Sequence, residues 1–339
     1  MLPARSVSSC SSMGRWRTEV TETEKSLQGS VSPSNALPKR LGKGRAGAHH
    51  GKLIQGVFQD ESGRLHRGLV TLPLRHMNSV ATFRFEGRQG IKVVPQEKTK
   101  AATAVRYTLR HLNCHHLGGR LTVESTIPVG HGYGSSTADV VASIRAVADA
   151  LEVELRPSVI SHLAVEAERA SDAIAFENQA VLFAQREGIV IEHFGDALPP
   201  IWLVGFKGND GQTVDTLALP PARYSSEEIQ TFAILRGLAA RSVKYQDPYL
   251  LGQAATLSSK ISQRHLAKPK FAVALGIARA FGACGLQVAH SGTLIGIILD
   301  ATASDAAGSA RKIAQAAAAA GFKDVAIQPI HQGGGAVEN

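Results

Sequence analysis

Pro128-Val129-Gly130-His131-Gly132-Tyr133-Gly134-Ser135-Ser136-Thr137-Ala138-Asp139 organises the reading of this 339-residue chain. On its N-terminal side, Arg120–Ile127 alternates apolar and polar residues, with Leu121, Val123 and Ile127 on one side, as in a half-buried strand. On its C-terminal side, Val140, Val141, Ile144, Val147 and Leu151 recur at helical spacing over 136–151. The stretch is therefore a strand-to-helix loop. Its three alternating glycines let the backbone approach a ligand closely and take positive φ. Ser135, Ser136 and Thr137 open the helix, where unpaired amides and the positive end of the dipole favour an anion. Phosphate is the usual occupant of such a site, and the hydroxyls add donors to it and a ligand for magnesium.

Two familiar phosphate loops are excluded. The lysine of a Walker-type loop is absent. The glycine spacing is G-x-G-x-G, and no acidic residue after a helix marks a ribose contact, so a dinucleotide fold is not indicated. A glycine turn with a capped helix and no ligand is the plain alternative, but three glycines and three hydroxyls in so short a run argue against it.

Outward from this loop the chain reads as mixed α and β. Short β-rich runs are predicted at 52–58, 67–73 and 78–85, and a helix at 97–113. A second helix follows at 156–170, then strands at 189–193 and 201–206. Beyond residue 226 the pattern predicts helices at 226–243, 248–265 and 270–283, strands at 286–290 and 293–299, a helix at 305–320 and a strand at 324–329. That order suggests helices on one face of an antiparallel sheet, an α+β class. Gly208, Asn209, Asp210, Gly211 and Pro220-Pro221 interrupt the pattern between the halves. The division expected is 1–45 as a basic extension, 46–215 and 216–330 as two domains, and 331–339 as a frayed tail.

The net charge of +9 suggests a polyanion as partner. Its distribution weakens that suggestion. Residues 1–45 hold eight basic and three acidic side chains, a net +5, leaving +4 for the remaining 294 residues. The extension is rich in Ser, Gly, Pro and basic residues, and is read as disordered. It lacks the apolar core of a secretory signal. Met13 offers an alternative start. Trp16 is its only aromatic, so a nucleic-acid arm is not expected. No run of 18 apolar residues is present, so no membrane helix is expected. Cys10, Cys114 and Cys284 are too few and too scattered for a disulfide framework or a four-ligand zinc site. A cytoplasmic setting follows as the default. The group His111, Cys114, His115 and His116 matches no zinc spacing and reads as a polar connector.

The quoted loop resembles the second motif of the GHMP kinases (galactokinase, homoserine kinase, mevalonate kinase, phosphomevalonate kinase). Its Ser-Ser-Thr-Ala-Asp ending resembles more narrowly the PduX-type L-threonine kinases of cobalamin synthesis. Gly51-Lys52-Leu53-Ile54-Gln55-Gly56 resembles their first motif, Gly-Glu-Leu-Ile-Gln-Gly. Leu251–Ser258 followed by Lys268-Pro269 resembles their mid-domain helix pair. Gly285–Gly296, with Ser291-Gly292 at its centre, resembles their third motif. The likeness covers about residues 46–330. It implies a domain similar to ribosomal protein S5 domain 2 followed by a ferredoxin-like domain, with the active site between them. It implies ATP and Mg2+ as cofactors, a small hydroxylated substrate as partner, and L-threonine as the acceptor.

By this resemblance, Pro128, Gly130, Gly132, Gly134, Ser135, Ser136, Thr137, Ser291 and Gly292 hold the nucleotide. Gly51 and Lys52 lie near the substrate. The family's Gly-Glu is here Gly51-Lys52, preceded by His49 and His50. The lysine suits either a more anionic substrate or a nearby carboxylate. Phosphoryl transfer needs a held triphosphate, a metal and a positioned hydroxyl. The run Glu166–Asp172 supplies carboxylates, with Glu168 and Asp172 four residues apart. It resembles the threonine kinases' Glu-Pro-Ser/Thr-Asp run, one residue longer and without the proline. By that likeness Asp172 is the base or hydroxyl-orienting residue, and Glu168 binds magnesium with Ser136. The alternatives are another GHMP-type kinase with a different hydroxylated acceptor, and a catalytically silent, ligand-binding relative.

Overall fold

The architecture is described by a computed structural model covering residues 41–86, 90–208, 223–289 and 292–330. Met13, the linker residues 209–222, Ser291 and the 331–339 tail lie outside it, and with them the expected junction between the halves. The first element is a long strand, β1 (Leu41–Gln59), paired antiparallel with β2 (Leu65–Phe85). The Asp60 carboxylate shapes the turn between them by accepting from the amides of Ser62 and Arg64, both at 2.9 Å. Residues 41–45, assigned above to the extension, belong to this strand. Composition hid them, because their inward positions are glycines. A Cβ on Gly42 would strike the backbone of Ala146 and Ala150, and one on Gly44 the carbonyl of Ala142. Ala142, Ala146 and Ala150 all lie on the helix that follows the glycine loop, so this close approach seats that helix on β1. Gly44→Val is expected to cost about 3 kcal/mol of stability by overpacking. Chemical denaturation measures it, and an unchanged midpoint would show that the helix does not rest on this glycine.

The runs predicted at 67–73 and 78–85 are one strand. The register jumps from Gly47 opposite Asn78 to Ala48 opposite Leu74, so residues 75–77 bulge out and give the appearance of a break. β3 (Ile91–Val94) lies parallel to β4 (Gly119–Ser125), with α1 (Thr99–His111) crossing between them. Then come the glycine loop, α2 (Ser135–Ala150), α3 (Pro157–Glu168) and a 3-10 turn (Ala173–Phe176). β5 (Ala180–Ala184) and β6 (Ile189–Gly195) form a hairpin, with β5 joined to β2.

The remaining elements are β7 (Ile201–Lys207), α4 (Ser226–Tyr245), α5 (Pro248–Ser262), α6 (Phe271–Ala280), β8 (Gly285–Val288), β9 (Leu294–Asp300), α7 (Ala306–Ala319) and β10 (Lys323–Ile330). Their strands lie in the order β10-β7-β9-β8, all antiparallel. Fourth, first, third, second is the order of a ferredoxin-like sheet. The boundary expected at 215/216 put β7 with the first half, yet β7 pairs with β9 and β10. A split β-α-β unit begins with the strand before its crossover. The period-2 alternation of β7 serves two cores. Ile201 and Leu203 join the large cluster built on α2, while Val204 and Phe206 pack with Ala274, Ile313 and Phe322. A single bridge, Lys52 opposite Val288, joins β8 to β1 and makes the described strands one sheet. Lys52 also faces Thr71 of β2, so it sits where the two halves meet.

Candidate active site

The loop between β4 and α2 takes its shape from the glycines. Gly130, Gly132 and Gly134 have φ of +83°, +100° and +75°. These are left-handed values that a side chain would strain. Tyr133 anchors the loop in the core, and its carbonyl accepts the His49 amide at 3.0 Å. Gly134 is the N-cap of α2, and no side chain caps the helix. The first-turn amides are thereby left for another partner. Pro128 is exposed at the start of the loop. Gly292 closes its far side. Thr293 donates its amide to the His131 carbonyl at 3.1 Å, and a Cβ on Gly132 would come within 3.2 Å of Gly292 Cα.

Ser136 and Thr137 both point to α3. Ser136 Oγ donates to Glu168 Oε2 at 3.0 Å, and Thr137 Oγ1 donates to Glu168 Oε1 at 2.7 Å. Glu168 is the last residue of α3, which stops because Arg169 adopts a left-handed φ of +69°. The structure therefore brings together the hydroxyl and the carboxylate assigned to magnesium. Their oxygens are the hard donors Mg2+ prefers, and that ion usually completes its shell with water and phosphate. Asp139, the end of the motif, is buried and structural: it accepts from Ser79 Oγ and Lys98 Nζ, each at 2.6 Å.

Burial raises the Glu168 carboxyl to about 7, with the charge of Asp172 adding to the rise and the Thr137 and Ser136 hydroxyls and Lys100 opposing it. Because the folded value lies above the ordinary 4.5, the folded state holds this proton more tightly. The stabilisation is fully present below the unfolded value and is lost as pH rises through about 7. Glu168→Gln removes that loss. Without metal or nucleotide, the variant's Tm relative to wild type is expected to be higher at about pH 8 than at about pH 5.5. An equal offset at both values would contradict the burial argument.

Asp172 stands just before the 3-10 turn and holds two partners from β1. Its Oδ1 pairs with Lys52 Nζ at 2.7 Å, and its Oδ2 with His49 Nε2 at 2.6 Å. Lys52 Nζ also lies 2.9 Å from His49 Nε2. One nitrogen cannot donate to Asp172 and accept from Lys52 at once, so His49 carries its proton on Nε2 and gives it to the carboxylate. Burial alone would push the Asp172 carboxyl up. The Lys52 and His49 charges and their hydrogen bonds outweigh it and hold the group well below the usual carboxylate range. Burial and Lys52 lower His49, which stays neutral.

Of the two substrate residues expected, Lys52 is 7 % exposed and its charge is committed to Asp172. Gly51, at φ +62°, abuts Gln287 and Ala289 of the second half. His49 carried no assignment in the sequence reading; its one signal was its place immediately before the first motif. His111, Cys114, His115 and His116 end α1 and fill the turn before β4. Among the described residues, no group of three or more His, Cys, Asp or Glu side chains could hold a metal ion, and no helix is long and apolar enough to cross a membrane.

Residues 99–181 match the family model of the GHMP kinases N terminal domain. Homoserine kinase from Cytophaga hutchinsonii superposes with a TM-score of 0.64 at 18% identity, over 89% of this chain and 99% of that one. The fold is that of the GHMP kinases. A second solved structure, MDDEF in complex with MVAPP, AMPPCP and magnesium, has a TM-score of 0.60 at 13% identity, over 86% of this chain and 98% of that one. In sequence, the chain is 33% identical over 197 residues to the L-threonine kinase of Salmonella typhimurium. That match covers 58% of this chain and 65% of the relative. The chain thus spans just under two thirds of the length of this curated relative.

Proposed function

We propose that this protein is an ATP- and magnesium-dependent kinase that transfers the γ-phosphoryl group to a hydroxyl, with L-threonine as the acceptor. The observation that carries the reading is one juxtaposition. The uncapped helix start at 134–137 touches Glu168, and Asp172, on the loop just beyond, is clamped between Lys52 and His49. The L-threonine kinase relative supports the acceptor, and the neighbour bound to AMPPCP and magnesium supports the nucleotide and metal.

In this reading the amides of 135–137 and the backbone of 130–134 hold the triphosphate. Ser136 and Glu168 would hold magnesium, which would supply charge neutralisation for the phosphates. Asp172 accepts a hydrogen bond from the acceptor hydroxyl and aims its oxygen at the γ-phosphorus. A bond forms between those two atoms as the bond to the β,γ-bridging oxygen breaks. Since Asp172 is a weak proton acceptor, its role is orientation rather than early deprotonation, which suits a loose transition state. The hydroxyl proton then leaves late, passing to an oxygen of the transferred phosphoryl group and on to solvent, while ADP departs with the bridging oxygen. The Glu168–Asp172 run, one residue longer than the family's and without its proline, favours a second reading, a kinase of the same fold with a different hydroxylated acceptor. The proposal includes a cytoplasmic setting and a place in cobalamin synthesis, as for the family the motifs resemble.

ADP release measured with L-threonine, L-serine, L-homoserine and simple sugars separates these readings. The proposal expects kcat/KM to be highest for L-threonine. A higher value for another acceptor moves the substrate, and turnover with none would leave a ligand-binding relative.

A further inference from the structure

Two lysines are buried among the described residues, Lys52 and Lys268. Lys52 has Asp172. Lys268, at 5 % exposure, has no carboxylate partner among the described residues. Its backbone is fixed between α5 and α6, the amide donating to Gln263 Oε1 at 2.7 Å and the carbonyl accepting from Phe271. Its ammonium donates to the Gly292 carbonyl at 2.6 Å. Gly292 in turn lies against His131 and Gly132, so the ammonium is one residue's thickness from the glycine loop. An ammonium has three donors, and one backbone carbonyl does not neutralise a charge taken out of water. Such a group is completed by an anion, and the adjacent loop is built to receive one.

We infer that Lys268 is a positioning residue for the polyphosphate: its ammonium counters phosphate charge at the 130–134 loop while its bond to Gly292 draws the second half of the molecule onto that loop. This rests on the ATP-binding reading above and adds to it a cation from the other half of the fold. Burial lowers Lys268 to about 8, with no charged neighbour contributing. His131, the titratable group across the turn, is lowered as well and stays neutral in that range. Binding of an anion beside Lys268 therefore draws a proton from solvent at alkaline pH.

The test uses the full chain, with ATP, inorganic tripolyphosphate and adenosine as ligands in calorimetry. Lys268→Met is expected to weaken ATP and tripolyphosphate by about 10-fold or more and leave adenosine unchanged, and Lys268→Arg to restore polyphosphate affinity. Wild type is expected to take up a proton on binding tripolyphosphate at about pH 8.5, seen as buffer-dependent heat, and Lys268→Arg to take up none. Equal weakening of adenosine and polyphosphate would show a merely structural role and overturn the inference. So would wild-type polyphosphate affinity in a folded Lys268→Met. If Lys268→Met does not fold, absence of proton uptake by wild type overturns it alone. Failure of wild type to bind ATP at all would instead sink the kinase reading.

Discussion

Asp172→Asn is expected to lower kcat by at least about 100-fold and to leave ATP affinity within a few-fold of wild type. The substitution keeps size and shape but removes the charge that His49 and Lys52 converge on. Only one oxygen remains to accept, so one of the two β1 partners loses its bond and the acceptor hydroxyl loses its anchor. The Asp172 carboxylate is held by His49 and Lys52 of β1, while the phosphate-binding reading rests on backbone amides of the glycine loop and α2, so nucleotide binding is expected to be spared. The same electrostatics fix the pH profile. Asp172 is held too low to produce an acidic limb in the physiological range. Burial raises Glu168 to about 7 in the protein without metal, so magnesium binding below that pH is expected to release its proton. An Asp172→Asn enzyme with full activity would remove Asp172 from the mechanism.

Lys52→Met is expected to cost about 3 kcal/mol of stability and most of the activity, because it leaves a buried carboxylate without its cation. Methionine keeps the stem and the packing. What is lost is the 2.7 Å ion pair at the bridge between Lys52 of β1 and Val288 of β8. Asp172 would then rise above its ordinary value, and the variant's stability would fall as pH climbs through that raised value. Combining Lys52→Met with Asp172→Asn removes both charges and is expected to recover most of the stability and none of the activity. Denaturation of the three variants forms a double-mutant cycle. A cost below about 1 kcal/mol for Lys52→Met alone would mean that the pair is no more than a surface ion pair.

Much of this was legible in the residues. The pairing of Glu168 with Ser136 was implied by the resemblance to the threonine kinases, and the two side chains lie in contact. The helices lie within a few residues of their periodic patterns, since 3.6-residue spacing survives in α2, α4 and α7. Strands written in other letters were missed. Residues 41–45 use glycine where a strand would show valine, and close approach to α2 is the reason. β5 is an unbroken apolar run, Ala180–Ala184, buried on both sides and so without alternation. β3 has only four residues and owes its existence to pairing with β4. His49 showed only its place before the first motif, because a histidine in a strand gains its role from what lies opposite. Lys52 stayed open between substrate and carboxylate until Asp172 was seen beside it.

The most direct test of the central claim is phosphorus NMR of the wild-type protein with ATP, magnesium and L-threonine, beside Asp172→Asn under the same conditions. The expected result is a phosphomonoester signal of O-phospho-L-threonine growing as ADP forms, with almost none from the variant. ATP bound but no phosphomonoester from any hydroxylated acceptor, or equal product from Asp172→Asn, would contradict it.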